Sequence, residues 1–521
     1  MHPTAMSTSR YYGLLPILGF LAAVHVITQR VQKRRSQLPL PPGPKKLPIL
    51  GNLLDLPADR PWETYHKWSQ VLNTDIIHLD VAGRSVVVVE SAEAVRDLFE
   101  TRSSIYSDRP VYTMLGELCG WDRSISFMHY GDEWRRTRRL LHESFNVNTS
   151  RQFQPQIVTA VHASLARLGG QPENVVAEFK LLTGSLVLDF TYGIKVKSAD
   201  DPYINMTEDA MESIAAAGAP GSFFVDMFPI LKYIPSWVPG AGFQRLAAQW
   251  RKSLNIMFEV PFAEAKRNIA HGTATPSFVS HNLAAHPKDA ETICNAAGIT
   301  YSAGVTTTTG NLAYFVFAML QHPEKQKRAQ EELDRVLGHG ILPSFADKES
   351  GVLPYIDGMV KEVLRWASTS AIGVPHAVSE EDVYRGFRIP KGSVVIGNAW
   401  GLLHDEKIYS NPNTFNPDRF LLTDGTLNTH IRDPENIIFG FGRRSCVGKH
   451  VALDTLWMTI ASILAMFEIC KCVDLSTGRE IEPPYACSSK LGLAPLPFTC
   501  RFKARSETAL RAIHAVGLEA V

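Results

Sequence analysis

Apolar and β-branched residues cluster at 76–80 and 85–89, with Ala82-Gly83-Arg84 between them. That pattern predicts a β-hairpin. Shorter strand signals follow at 387–389 and 394–396. Elsewhere the spacing is helical, over 92–100, 133–141, 152–168, 290–320, 323–337 and 355–366. The run 290–320 contains no proline and is long enough to be a central helix. Pro323 opens the next helix in its first turn, where a missing N–H is no loss. Another apolar, helix-forming run covers 450–467. These elements predict a mainly α fold with a small β-rich lobe.

Two apolar stretches do not belong to that body. Residues 11–28 form an uncharged, mainly apolar run just long enough to span a bilayer. Only Arg10 lies near its start, whereas Arg30, Lys33, Arg34 and Arg35 follow it. The charge order fits an uncleaved anchor with a cytosolic body better than a cleaved signal peptide. The predicted organisation is a short lumenal N-terminus (1–10), a transmembrane anchor (11–28), a basic and proline-rich hinge (29–50) and one catalytic domain (51–521). In that topology the sequons at Asn148 and Asn205 stay unglycosylated. Residues 223–240 are aromatic and broken by Pro229, Pro235 and Pro239. They are too interrupted for a spanning helix and too apolar for a solvated loop, so they read as a membrane contact or a buried lid.

Composition narrows the class. The chain of 521 residues is 45% hydrophobic and can bury a large core. Its net charge of +1 gives no case for nucleic acid as a partner. Seven cysteines without framework spacing argue against a disulfide-stapled fold.

One cysteine stands apart. Cys446 follows a glycine-rich turn and precedes the 450–467 run. A thiolate at a helix N-terminus gains from the macrodipole, which lowers its pKa and favours metal ligation. Gly442 and Gly448 would let the backbone lie flat against a large planar ligand. Arg444 offers a planar fork suited to a carboxylate on such a ligand. The segment resembles the Cys-ligand loop F-x-x-G-x-R-x-C-x-G of the cytochrome P450 family, with Phe439, Gly442, Arg444, Cys446 and Gly448 at its fixed positions. Glu362 and Arg365 match the family's E-x-x-R pair, and Arg419 in Pro417-Asp418-Arg419-Phe420 its third member. Trp134 and Arg138 match W-x-x-x-R, and Pro41-Pro42-Gly43-Pro44 matches the hinge of microsomal members.

The resemblance implies a cytochrome P450 fold carrying haem b, with Cys446 as axial iron ligand and Arg444, Trp134, Arg138 and His376 toward the propionates. It implies a monooxygenase acting on a small lipophilic substrate, of a terpenoid, polyketide or other polycyclic kind, in fungal-type secondary metabolism. Electrons would come from NADPH through a membrane-bound diflavin reductase, with cytochrome b5 as a further partner. Arg135, Arg136, Arg139 and Lys449 are candidates for the docking surface. The location implied is the endoplasmic reticulum membrane.

One departure affects the chemistry. The family's oxygen groove reads A/G-G-x-D/E-T, and here Ala303-Gly304-Val305-Thr306-Thr307 has Thr306 in place of the acid. Thr307 keeps the oxygen-binding position. A threonine passes a proton through its hydroxyl but stores no charge. The alternative classes are a haem-thiolate isomerase, dehydratase or peroxide-dependent enzyme, and a membrane haem carrier or sensor without turnover. By family order, Leu115, Phe127, Ala297, Thr300, Ala371, Ile372, Val374 and Leu491 are expected to line the substrate pocket.

Overall fold

The computed structural model describes residues 38–57, 59–172, 174–196, 198, 200–218, 222–474, 476–483 and 495–519. The expected anchor at 11–28, its basic flank and Leu491 lie outside the described residues. Among the described residues, no helix is long and apolar enough to cross a membrane.

The hairpin forms as β1 (Ile76–Val81) and β2 (Arg84–Val89), with Ile77 opposite Val88. Its turn is two residues, Ala82 and Gly83, both at positive φ (48° and 89°). Such a turn matches the right-handed twist of the strands it joins. With β3 (His376–Ala377) and β4 (Val394–Gly397), the hairpin makes a four-stranded sheet of order β1-β2-β4-β3. β2 runs parallel to β4, and β3 antiparallel to it. Successive strand side chains face opposite ways. Val87, Val89 and Val395 therefore pack with Leu98, Phe99 and Phe441, whereas Ile77, Leu79, Val86 and Val88 pack with Trp62, Ala371 and Ile372.

The helical body is built on the central helix Ala290–Gln321, whose residues are buried along most of its length. It packs closely on Val175–Tyr192, and a hydroxyl pair, Thr183 Oγ1 and Thr309 Oγ1 at 2.8 Å, joins the two. Val175–Tyr192 is buried on nearly every side. A segment without a polar face carries little periodicity, so the pattern along the chain does not single it out. Gly242–Ala270 runs through Pro261, where proline removes a helical donor.

The described part of the expected hinge is held down. Arg388 N donates to Pro39 O and His78 N to Pro42 O, each at 2.8 Å. A Cβ at Gly43 would lie 2.0 Å from the His78 carbonyl, so only glycine permits this contact with β1. The segment 223–240 resolves the choice between lid and surface. Trp237 is 79% exposed, Tyr233 72%, Ile230 71% and Phe224 69%. Polar contacts hold it to the body: the buried Asp226 Oδ1 accepts from Met114 N at 2.8 Å, Lys232 pairs with Glu117, and Gln244 Nε2 donates to Lys232 O at 2.6 Å.

Candidate active site

The cysteine loop turns on two glycines at positive φ, Gly440 (75°) and Gly442 (52°), and closes with Cys446 N donating to Phe439 O at 2.7 Å. A Cβ at Gly442 would lie 2.1 Å from the Phe99 carbonyl. The close approach that demands glycine there is thus to the protein's own backbone. At Gly448 a Cβ would make only ordinary contact with Cys446 Sγ at 4.0 Å, so protein packing does not demand glycine there. Phe441 stacks on Phe99 with ring centroids 5.5 Å apart, fixing the loop to the β-rich lobe. Three residues after Cys446 the helix Lys449–Met466 begins.

Cys446 keeps accessible surface although protein surrounds it. Burial pushes its thiol up, and the backbone N–H groups of Gly448 and Lys449 with the charges of Arg138 and Lys449 only partly oppose this. The expected lowering therefore does not hold for the free thiol; desolvation outweighs the helix terminus. A bound metal cation would reverse the balance, since a coordinating thiol is deprotonated. A cleft of about 1000 Å³ opens at the loop, lined by Cys446, Phe439, Arg138, His142 and Lys449 among others.

Beside the loop lies an unusual concentration of buried cations. Arg444 donates to the carbonyls of Ser107, Ile125 and Met128 at 2.8–2.9 Å, and its guanidinium lies 4.6 Å from the Trp134 ring centre. Arg109 donates to the carbonyls of Ser126, Val374 and Pro375 at 2.7–2.9 Å. Burial, with the like charge of Arg109, pushes Arg444 down to about 9, and burial pushes Arg109 down to about 10. His376 is held well below its ordinary value by burial and then by Arg109; its neutral ring bonds Tyr106 O through Nδ1 at 2.6 Å. Trp134 Nε1 is buried with no acceptor. Two guanidinium groups satisfied only by carbonyls, beside an orphaned indole N–H, fit a bound dianion. Arg109 has no signal in the chain beyond an unremarkable Asp-Arg-Pro, and only packing reveals it.

Arg138 points elsewhere than expected. It donates to Ser445 O at 2.5 Å and contacts Ser445 Oγ at 3.4 Å, so it braces the residue before Cys446. Glu362, Arg365 and Arg419 come together in full burial. Glu362 accepts from Arg365 Nε and Nη2 at 2.7 and 2.8 Å, from Arg419 Nε at 3.1 Å and from Asn416 N at 2.7 Å.

On the central helix, Thr306 Oγ1 donates to Ser302 O and Thr307 Oγ1 to Ala303 O, both at 2.9 Å. Ala303 is exposed and Gly304, Thr306 and Thr307 half-buried, in mid-helix of a large protein, so open space adjoins them. Phe127, Thr300 and Val374 are also half-buried. Four of the expected pocket residues are buried. Leu115 and Ala297 are 0% exposed, Ala371 1% and Ile372 5%. Ala371 and Ile372 belong instead to the core beneath the sheet.

The sequence profile of the cytochrome P450 family matches residues 41–500. The chain belongs to the cytochrome P450 family. It is 46% identical to cytochrome P450 monooxygenase 98 of Postia placenta over 95% of this chain and 96% of that protein. It is 40% identical to cytochrome P450 monooxygenase ple1 of Rhodocybe pseudopiperita over 98% of each. It is also 37% identical to tryptamine 4-monooxygenase of Psilocybe cyanescens, over 92% of this chain and 95% of that protein. Haem is the cofactor the family implies, and the cation cluster and orphaned Trp134 N–H fit its two carboxylates.

Proposed function

We propose that this cytochrome P450 is a membrane-bound monooxygenase that places one oxygen atom of O2 into a small lipophilic substrate, of the terpenoid, polyketide or other polycyclic kind. The observation that carries the reading is the paired Arg109 and Arg444 beside Trp134, next to Cys446 on its glycine turn. Bound haem would supply the iron and the redox chemistry of dioxygen activation. Cys446 Sγ would hold its iron. Arg444, Arg109, Trp134 and His376 would hold its carboxylates, and Arg138 would steady the loop through Ser445.

Thr307 is the residue that handles protons at the reacting side. Its hydroxyl donates to Ala303 O, which leaves its oxygen free to accept. Thr306 is bonded the same way to Ser302 O, so neither hydroxyl stores a proton, and replacements must come through water. Arg136 and Arg139 are exposed, whereas Arg135 pairs with Asp132 and Lys449 with Glu435. The first two are therefore the stronger docking charges for a diflavin reductase carrying NADPH electrons, with cytochrome b5 as a second donor. The anchor at 11–28 and the exposed aromatic segment around Trp237 would seat the body on the cytosolic face of the endoplasmic reticulum.

The test is spectral and stoichiometric. Cys446→Ala should abolish the red-shifted Soret band of the ferrous CO complex, whereas Cys470→Ser should keep it; survival of the band in Cys446→Ala overturns the ligand assignment. Thr307→Ala should divert NADPH into peroxide, and Thr306→Asp should hold or improve coupling. Conversion of the native substrate at full rate without NADPH would establish the isomerase or dehydratase alternative instead.

A further inference from the structure

Asn311 lies one turn beyond Thr307 on the central helix and is 6% exposed. Its Nδ2 donates to Thr307 O at 2.9 Å and to Thr369 Oγ1 at 3.3 Å. Its Oδ1 is buried with no donor. Turning the amide round does not remove the fault. Oδ1 would then face the Thr307 carbonyl, and two acceptors cannot bond each other.

Thr369 is 2% exposed and sits in the turn after the helix Pro354–Ala367, next to Ser368 at φ 43°. Among the described residues no acceptor takes the hydroxyl proton of Thr369. A free acceptor and a free donor thus remain side by side behind the middle of the central helix. Asn311's neighbours along the helix, Leu312, Ala313 and Phe315, are fully buried and apolar. Buried polar groups left this way in folded proteins are characteristically completed by an internal water with two or more partners.

We infer that Asn311 and Thr369 hold one internal water there, and that Asn311 is a positioning residue for Thr307. The inference rests on the reading of Thr307 as the proton-handling residue. Thr307 is gripped at both ends: its hydroxyl by Ala303 O, its carbonyl by the Asn311 amide. The water completes Asn311 by donating to Oδ1 and accepting the Thr369 O–H. Without it, Asn311 would be drawn away from the Thr307 carbonyl toward another donor. Because residue 306 is no acid, the placement of the Thr307 hydroxyl has no carboxylate to correct it.

The first test is a crystal structure of the haem-loaded full chain that resolves ordered water. A water within about 3.2 Å of both Asn311 Oδ1 and Thr369 Oγ1 is expected. A dry site, or a protein donor on Oδ1, overturns the inference. The second test separates position from mere stability. Asn311→Leu should expel the water and raise peroxide released per NADPH about fivefold, the effect of one lost hydrogen bond. Haem content and the CO band should be unchanged, and Asn311→Gln should recover part of the coupling. Thr369→Val serves if Asn311→Leu does not fold; it should also lose the water and raise peroxide. Unchanged coupling in a folded, water-free variant overturns the positioning role. If Thr307→Ala itself releases no extra peroxide, the reading of Thr307 fails, while the water site is judged by the crystal structure alone.

Discussion

Replacing Glu362 by Gln should unfold much of this protein's margin of stability. The carboxylate is fully buried and binds two guanidinium groups and the Asn416 amide. Burial already holds the Arg419 guanidinium below its ordinary value against the pull of Glu362, so that cation tolerates no further loss. Glutamine preserves the volume but removes the charge, and turns one acceptor into a donor facing Arg365. Breaking a buried pair by removing one partner costs about 3–5 kcal/mol. Net stabilities are of order 5–15 kcal/mol, so roughly a fifth or more of the total is at stake. The assay is urea unfolding of the haem-loaded protein, followed by the CO band, with Glu381→Gln as control. Glu381 pairs with Arg388 at 2.7 Å on the surface, and such exposed pairs contribute no more than about 1 kcal/mol. Glu362→Gln with the midpoint of the control would refute the claim that this network ties the Pro354–Ala367 helix to the 414–420 loop.

Other predictions test separate parts. Arg109→Leu and Arg444→Leu should each speed haem transfer to an apo-globin acceptor about tenfold or more, the loss of one charge-assisted bond, and an unchanged rate would remove these residues from the cofactor site. Burial, and after it the charges of Lys46 and Arg365, holds His78 and His404 at about 3, so both stay neutral in the fold. In the unfolded chain they protonate below about 6.5, so the unfolded state binds more protons and stability falls as pH drops from there toward 3. The slope approaches about 1.4 kcal/mol per pH unit for each histidine, and His404→Gln should flatten it; an identical slope in that variant would exclude the histidine. A chain lacking residues 1–37 should still float with lipid vesicles, and replacing Phe224, Ile230 and Trp237 by Ser should weaken that binding about tenfold or more. Equal flotation of the two forms would mean the exposed segment does not meet the membrane.

Much of this protein is legible from the chain because its signals are local. The hairpin follows from β-branched runs around Ala82-Gly83, and the central helix from a long run without proline. The motifs around Cys446, Trp134 and Glu362 are spacings within one turn or helix, which survive without knowledge of what packs against them. Burial is different, because it depends on which distant segment arrives. Ala371 and Ile372 follow the E-x-x-R helix just as pocket residues would, yet the sheet claims them for its own core. The glycine at 442 answers to the Phe99 carbonyl, a partner more than three hundred residues away. Arg109 and Asn311 carry no motif, and their meaning rests on which polar atoms the fold leaves without partners. The chain by itself determined the elements and the chemistry of the cysteine loop. Only tertiary packing decided which cations gather beside that loop and which expected pocket residues are buried, since desolvation and hydrogen-bond satisfaction are properties of the assembled core.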